Sequence, residues 1–390
     1  MKTSSLPTSS SVSFTRGTYR VRHPENTWSI ISPHFQEFGI TRIADVTGLD
    51  SVGIPVAMAV RPLSQTLSVS QGKGRTLLLA KVSAAMEAIE LWHAENVAAG
   101  LDSFRAPGAE LDLPYAMADL EADPGSIVGP QTPLHWVTGR DLLTGRSVPL
   151  PRDTVSLAAK DPLAWRAAGL ASTTNGLASG NNPAEATLHA LYEVLERDAV
   201  ARAQEGSIRM DFIDPRTVDN VDCQALVNRL HSAGCYVELA RIASTGPVHC
   251  FTARVWSEDF PVMAFGSGAH THEDVALSRA LTEAAQSRLT AIAGSRDDMT
   301  RFYDYVRLGV VERPVPRAGL HSWDSLPRPA TSTVSDLEDE VHRLAQHLAT
   351  DHGRSPIVVD LSSRDDFAVV KVVVPGLLMD PRARPAATAA

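Results

Sequence analysis

The chain has 390 residues, 44% hydrophobic and 21% charged, enough to bury a sizeable core. A formal charge of −9 argues against a protein held to nucleic acid by its overall field. No apolar run of about 18 residues is present, so a membrane span is not expected.

In chain order, the first residues, to Thr15, are rich in Ser and Thr without an apolar centre and read as a disordered tail, extended to residues 1–18. A turn and then a β-branched run over 45–60 predict a buried strand, and 61–70 continues in extended character. Gln71-Gly72-Lys73-Gly74 reads as a tight loop, and Thr76 as the N-cap of a helix reaching about Ala99. Residues 100–151, richer in Pro, Gly and Asp, predict an elaborated loop with short strands such as 135–138. At 172–199 a Gly/Asn/Ser loop leads into Pro183, suited to a first helical turn, and a helix through Arg197. A second Gly-rich loop and helix fill 265–298, strands are expected within 356–374, and the Pro/Ala/Arg-rich end, 380–390, reads as a flexible tail. These elements predict an α+β fold, with helices on mostly antiparallel or mixed sheets, in one domain over 19–379.

Cys223, Cys235 and Cys250, spaced by 12 and 15 residues, fit neither a disulfide framework nor a zinc knuckle. Reduced thiols and a cytoplasmic location are expected. No sequence neighbour of any cysteine is placed as a base, so a nucleophilic thiol is not expected. His189, His270 and His272 lack a second ligand at helical spacing and do not predict a transition-metal site.

The functional signal is a spacing. Ser83/Glu87/Glu90, His189/Glu193/Glu196 and Arg279/Glu283/Gln286 each recur at i, i+4, i+7 on an Ala/Leu-rich helix. Such residues lie within about 40° of one another around the axis, so each triplet projects in one direction. Closely packed helices carrying carboxylates that are costly to bury predict something positive between them, and a hard divalent cation carrying a nucleotide fits best. The Gly72-Lys73-Gly74 turn lacks the G-x-x-x-x-G-K-[ST] framework of a P-loop, which argues against a Walker-type site.

Taken together, SAAMEAIE at Ser83 to Glu90, EVLERDA at Glu193 to Ala199 and EAAQSR at Glu283 to Arg288 resemble the S-x-x-x-E-x-x-E, E-x-x-E-R-D and E-x-x-Q-x-R motifs of the YcaO family. TGLDSVGIPV, SVSQGKG and TNGLASGNNPAEA fit the pattern around them. The resemblance implies a YcaO-type fold with a non-Walker ATP site. In it Glu87, Glu90, Glu193 and Glu196 would hold Mg²⁺, and Lys73, Ser83 and Arg197 would contact phosphates. Asn175, Glu283, Gln286 and Arg288 would complete the nucleotide site. Neither a specific catalytic residue nor a nucleic-acid or membrane partner is implied.

The resemblance further implies ATP-dependent phosphorylation of a backbone amide oxygen in a precursor peptide. The wording RALTEAAQSRLTAIAGSRDD and ADVTGLDSVGIPV resembles the subgroup found with TfuA-like partner proteins and associated with thioamides. Azoline-forming members typically end in P-x-P-x-P, whereas this chain ends Pro381-Arg-Ala-Arg-Pro-Ala-Ala-Thr-Ala-Ala. Azoline formation and a non-catalytic ATP-binding scaffold stand as alternatives, and a homodimer is a further expectation.

Overall fold

A computed structural model describes residues 12, 18–158, 169–243, 246–296, 313–326 and 336–378. The expected tails, 1–18 and 380–390, fall outside these residues apart from positions 12 and 18.

The described strands form three sheets, with antiparallel pairing throughout. The first contains β1 (Arg42–Asp45), β2 (Val56–Val60) and β3 (Val69–Lys73) in that order. The second joins β4 (Phe104–Pro107), β5 (Pro133–Asp141), β12 (Ile357–Asp360), β13 (Ala368–Val373) and β7 (Leu177–Gly180), with β6 (Ser147–Pro151) paired to β5. The third runs β11 (Ala264–His270), β10 (His249–Trp256), β9 (Tyr236–Ile242), β8 (Met210–Ile213). The helices are α1 (Pro24–Ile31), α2 (Leu77–Asn96), α3 (Pro183–Gln204), α4 (Val221–Ser232), α5 (Glu273–Ala293) and α6 (Leu337–His352). None of them is long and apolar enough to cross a membrane. The α+β expectation matches this architecture.

The central sheet is buried on both faces, and the two-residue pleat sorts its side chains. Ile357, Val359 and Val369 pack with Ala84, Ala88 and Ile89 of α2. Val358, Val370 and Val372 face the opposite way, toward Leu191 and Val194 of α3 and Leu344 and Leu348 of α6. The third sheet packs Leu239, Phe251 and Val255 against α4 and the Ala-rich side of α5.

Three units share one plan: β3 leads into α2, β7 into α3, and β11 into α5. Each of the three strands is the last in its sheet. Their N-caps differ: Thr76 accepts from Leu79 N and Asn182 from Glu185 N with Pro183 starting α3, whereas His272 before α5 makes no side-chain cap bond, and α5 ends at Gly294 in the left-handed region. Each helix also touches the edge strand of the next unit: α2 meets β7, α3 meets β11, and α5 meets β3. The arrangement is therefore a closed ring of three.

Here the strands depart from the sequence expectation. Gln71-Gly72-Lys73 is not a loop but the end of β3, with Gly72 opposite Ala57. Likewise the expected Gly-rich loop at 265–270 is β11, and part of the 172–182 loop is β7. The expected strand over 45–60 is split into β1 and β2 by a 3-10 turn at Thr47–Leu49 and a left-handed Gly53 (φ 70°). The α2 helix stops at Asn96, before a short 3-10 turn, whereas α3 runs past Arg197 to Gln204.

Candidate active site

The ring brings the three polar faces together, and the third member of each triplet closes it. Glu90 on α2 accepts from Ser179 Oγ of β7 at 2.5 Å. On α3, Glu196 accepts from Ser267 Oγ at 2.6 Å and from Ala269 N at 3.0 Å, both on β11. The third link runs from Gln286 Nε2 on α5 to the Gln71 carbonyl of β3 at 3.5 Å. The middle member is a glutamate in all three helices: Glu87, Glu193 and Glu283. Lys73, at the end of β3, pairs with Glu283 across the α5 junction. Arg197 brings Nη2 to 4.0 Å from Glu193 Oε1, and Ser83 takes the first position on the α2 face.

Burial makes several of these carboxylates reluctant to ionise. It pushes Glu87 up to about 7, against the pull of Lys73. Glu193 also rises to about 7 through burial and the neighbouring Glu196, partly offset by Arg197. Glu90 reaches about 8, because burial and the charges of Glu87 and Glu193 outweigh the Ser179 hydrogen bond. For Glu283 burial is overcome by Lys73 and Arg197, which hold it below the usual carboxylate range.

Such a group of carboxylates short of positive charge suits a divalent cation. Among the described residues no three acidic, His or Cys groups already form a closed cage. Mg²⁺ keeps phosphate oxygens and water in its shell, so these carboxylates would share it with a bound triphosphate.

Two basic residues outside the sequence-assigned set feel the charges of this centre. Arg279 donates from Nη2 to His189 Nε2 at 2.5 Å. Burial, reinforced by Arg279, holds His189 well below its ordinary value, so the ring is neutral with its proton on Nδ1. It thus fixes the guanidinium's direction. Arg279 already stood on the polar stripe of α5, four residues before Glu283, so a signal for it existed. The other is Lys371, buried in β13 and donating from Nζ to the Thr173 carbonyl at 2.6 Å. Burial lowers it to about 8 against the opposing pull of Glu193 and Glu121. Nothing in its local sequence, a valine-rich strand, sets it apart. Asn175, just before β7, lines the same cleft as Lys371.

Arg288 stands apart. Two residues beyond Gln286, it is turned by about 200° around α5. Its guanidinium is 1% exposed and bonded to Asp50 Oδ2 at 2.9 Å and Ser257 Oγ at 2.7 Å, with Asp259 Oδ1 at 3.2 Å. It anchors α5 to the segment after β1 and to the end of β10, and it does not join the three polar faces.

A further cluster was not visible in sequence, because its members lie far apart along the chain. Glu185 accepts from Arg20 Nη1 at 3.1 Å, Val21 N at 2.9 Å and Asn181 Nδ2 at 2.9 Å, while Thr27 Oγ1 donates to Asn181 Oδ1 at 2.7 Å. The N-terminal segment is thereby tied to the start of α3. Tyr19, Arg20, Glu185, His189 and Arg279 line a second, small cavity.

All three thiols are buried. Burial pushes Cys223 up to about 12, Cys250 well above its ordinary value, and Cys235 upward. None supplies thiolate near neutral pH. Single Cys→Ser variants are therefore expected to keep turnover within about threefold of the parent. Loss of turnover in a variant with unchanged circular dichroism would restore a covalent thiol mechanism.

Comparison with known proteins gives the same centre a family. Residues 71–378 match the family profile described as YcaO cyclodehydratase, ATP- and Mg²⁺-binding. An uncharacterized protein of Mycobacterium tuberculosis is 41% identical over 374 residues, covering 93% of this chain and 83% of the relative. A protein encoded in the tfuA 3′ region of Rhizobium leguminosarum bv. trifolii is 35% identical over 381 residues, covering 92% and 88%. Among solved structures, YcaO from Methanopyrus kandleri bound with AMPPCP and Mg²⁺ superposes with a TM-score of 0.74 at 26% identity, covering 95% of this chain and 96% of the other. With the motif spacing, the ring of three helices and these matches in agreement, the chain belongs to the YcaO family of ATP- and Mg²⁺-binding proteins.

Proposed function

We propose that the chain uses Mg²⁺-ATP, bound among α2, α3 and α5, to phosphorylate a backbone amide oxygen of a precursor peptide, and that the product is a thioamide. The observation carrying this reading is the ring of polar faces. A protein that only displayed a peptide would gain nothing from carboxylates so costly to bury. Glu87, Glu90, Glu193 and Glu196 would hold Mg²⁺, while Lys73, Ser83, Arg197 and Arg279 would face the phosphates. Asn175, Glu283 and Gln286 would complete the nucleotide surroundings.

An amide carbonyl is a poor electrophile and its oxygen a poor leaving group, because resonance spreads the nitrogen lone pair over both. Hydrosulfide adds to the carbonyl carbon, and the π pair moves onto oxygen. That oxygen takes the γ-phosphoryl group and ADP leaves. The carbon–oxygen bond then breaks, inorganic phosphate departs with the former S–H proton, and C=S remains. Bound Mg²⁺ supplies charge neutralisation on the triphosphate. The residues supply position: His189 aims Arg279, and Glu283 holds Lys73.

Support for sulfur as the nucleophile is the relative named for the tfuA 3′ region. A TfuA-like protein is the expected partner. With a precursor peptide, ATP, sulfide and that partner, the product should gain the mass difference between sulfur and oxygen at each modified amide. Loss of one water per site would instead identify azoline formation. Deleting residues 382–390 should retain about half the activity or more, since their composition offers no docking pattern; collapse on truncation would favour the azoline reading.

The raised carboxylates make binding pH-dependent. Glu87, Glu90 and Glu193 bind protons more tightly folded than unfolded, so their contribution to stability is complete below about 4.5 and lost as pH rises through about 7 to 8. The metal-free protein should therefore lose Tm between pH 6 and 8.5, roughly. Mg²⁺-ATP must displace those protons, so its affinity should rise over the same window and calorimetry should show proton release into buffer. Equal heats in phosphate and Tris at pH 7 would contradict this.

A further inference from the structure

The cleft lined by Lys371 has its own chemistry. It is formed where the residues before β7 meet the end of β13 and the segment after Met117–Asp119, and Glu121, Thr154, Ala171, Thr173, Asn175 and Lys371 line it. Lys371 interrupts a strand of sequence AVVKVV, and its pleat partners Val369 and Val373 belong to the core on the α2 side. A lysine 3% exposed in the middle of a sheet is costly, and its hydrogen bond to the Thr173 carbonyl, the one its side chain makes among the described residues, uses one of three ammonium donors. The acidic charges that act on it are Glu193 on α3 and Glu121, itself one of the cleft's lining residues. The cavity lined by Arg20 and Arg279 touches the centre through His189, a different part of the chain from Asn175 and Lys371. The two hollows therefore share no lining residue.

We propose that the Lys371 cleft receives the acceptor peptide, and that the Lys371 ammonium donates to the oxygen of the reacting amide. The proposal rests on the amide-activation reading above and adds to it the place of the acceptor and a group that touches it. When a nucleophile adds to the carbonyl carbon, the π pair becomes a full charge on oxygen, and a fixed ammonium in a water-poor cleft stabilises that charge far more than it does the resting amide. Ala171, Thr173 and Asn175 on the rim are partly exposed, which leaves the cleft open on that side to an extended peptide.

The test uses the whole protein and a pool of synthetic randomised decapeptides carrying a photoreactive diazirine, with Mg²⁺-ATP affinity measured separately by calorimetry. Crosslinks are expected on 119–121, 171–175 and 371–377. Crosslinks confined to another surface, with Mg²⁺-ATP still bound, overturn this proposal alone; absence of Mg²⁺-ATP binding overturns the amide-activation reading itself. For the best-crosslinked peptide, Lys371→Met should cut peptide-stimulated ATP turnover about 100-fold while the Kd for Mg²⁺-ATP stays within about threefold. If Lys371 only neutralises Glu193, the Kd will move as much as turnover, and the proposal fails. Ala171→Phe, which fills the cleft without touching a charge, should raise the peptide KM about tenfold or more, again at constant Kd. An unchanged KM would place the peptide elsewhere.

Discussion

Glu87→Gln and Glu193→Gln are each expected to lower ATP turnover about 1000-fold or more, because the amide keeps the shape but not the charge that holds the cation. Stability should move the other way. Both carboxylates are pushed up to about 7 by burial, so at pH 8 the folded protein carries charges it would rather not have. Neutral glutamine relieves that, and Tm at pH 8 should stay level or rise. Glu196→Gln makes the useful contrast. Its two carboxylate oxygens receive Ser267 Oγ and Ala269 N, so an amide nitrogen at either place sets donor against donor or forces the serine to turn. That variant should lose about 1–2 kcal/mol of stability as well as activity. Parental turnover in Glu87→Gln or Glu193→Gln would end the assignment of these residues to the metal. A fall in Tm equal to that of Glu196→Gln would mean that they too are structural links.

The candidate centre was legible because helical spacing survives any tertiary arrangement: residues four and seven apart share a face whatever they pack against. The sequence could not say that three faces meet in a ring, since the links from Glu90, Glu196 and Gln286 cross 89, 71 and 215 residues. It also could not separate Arg288 from Gln286 once both were read as one motif, although two residues along a helix point to different sides. Lys371 carried no local signal, because a lone lysine in a β-rich segment usually marks a solvated face. The glycine-rich stretches misled for a physical reason: glycine marks turns when it is needed for φ, but here Gly72 and Gly266 are needed for space.

That distinction gives the last prediction. A Cβ built on Gly72 would fall 2.0 Å from Ala84 N and 2.2 Å from the Ala80 carbonyl oxygen, and one on Gly266 would fall 2.2 Å from Ala284 N. The obstacles are helix backbone, which has no rotamer to change, so α2 or α5 would have to lift from its strand. Gly72→Ala and Gly266→Ala should each cost about 3 kcal/mol or more and yield little soluble protein. Gly48→Ala is the control: nothing lies within 4 Å of its Cβ position, and its φ is not in the left-handed region. It should stay within about 0.5 kcal/mol of the parent. Any Gly72→Ala protein that folds should also bind Mg²⁺-ATP weakly, because Gly72 lies between Gln71, which takes the Gln286 link, and Lys73, which pairs with Glu283. Chemical denaturation of the three variants, followed by calorimetry on those that fold, decides it. If Gly72→Ala and Gly48→Ala prove equally stable, α2 does not rest on β3 as closely as the structure has it, and the ring that gathers the carboxylates loses its support.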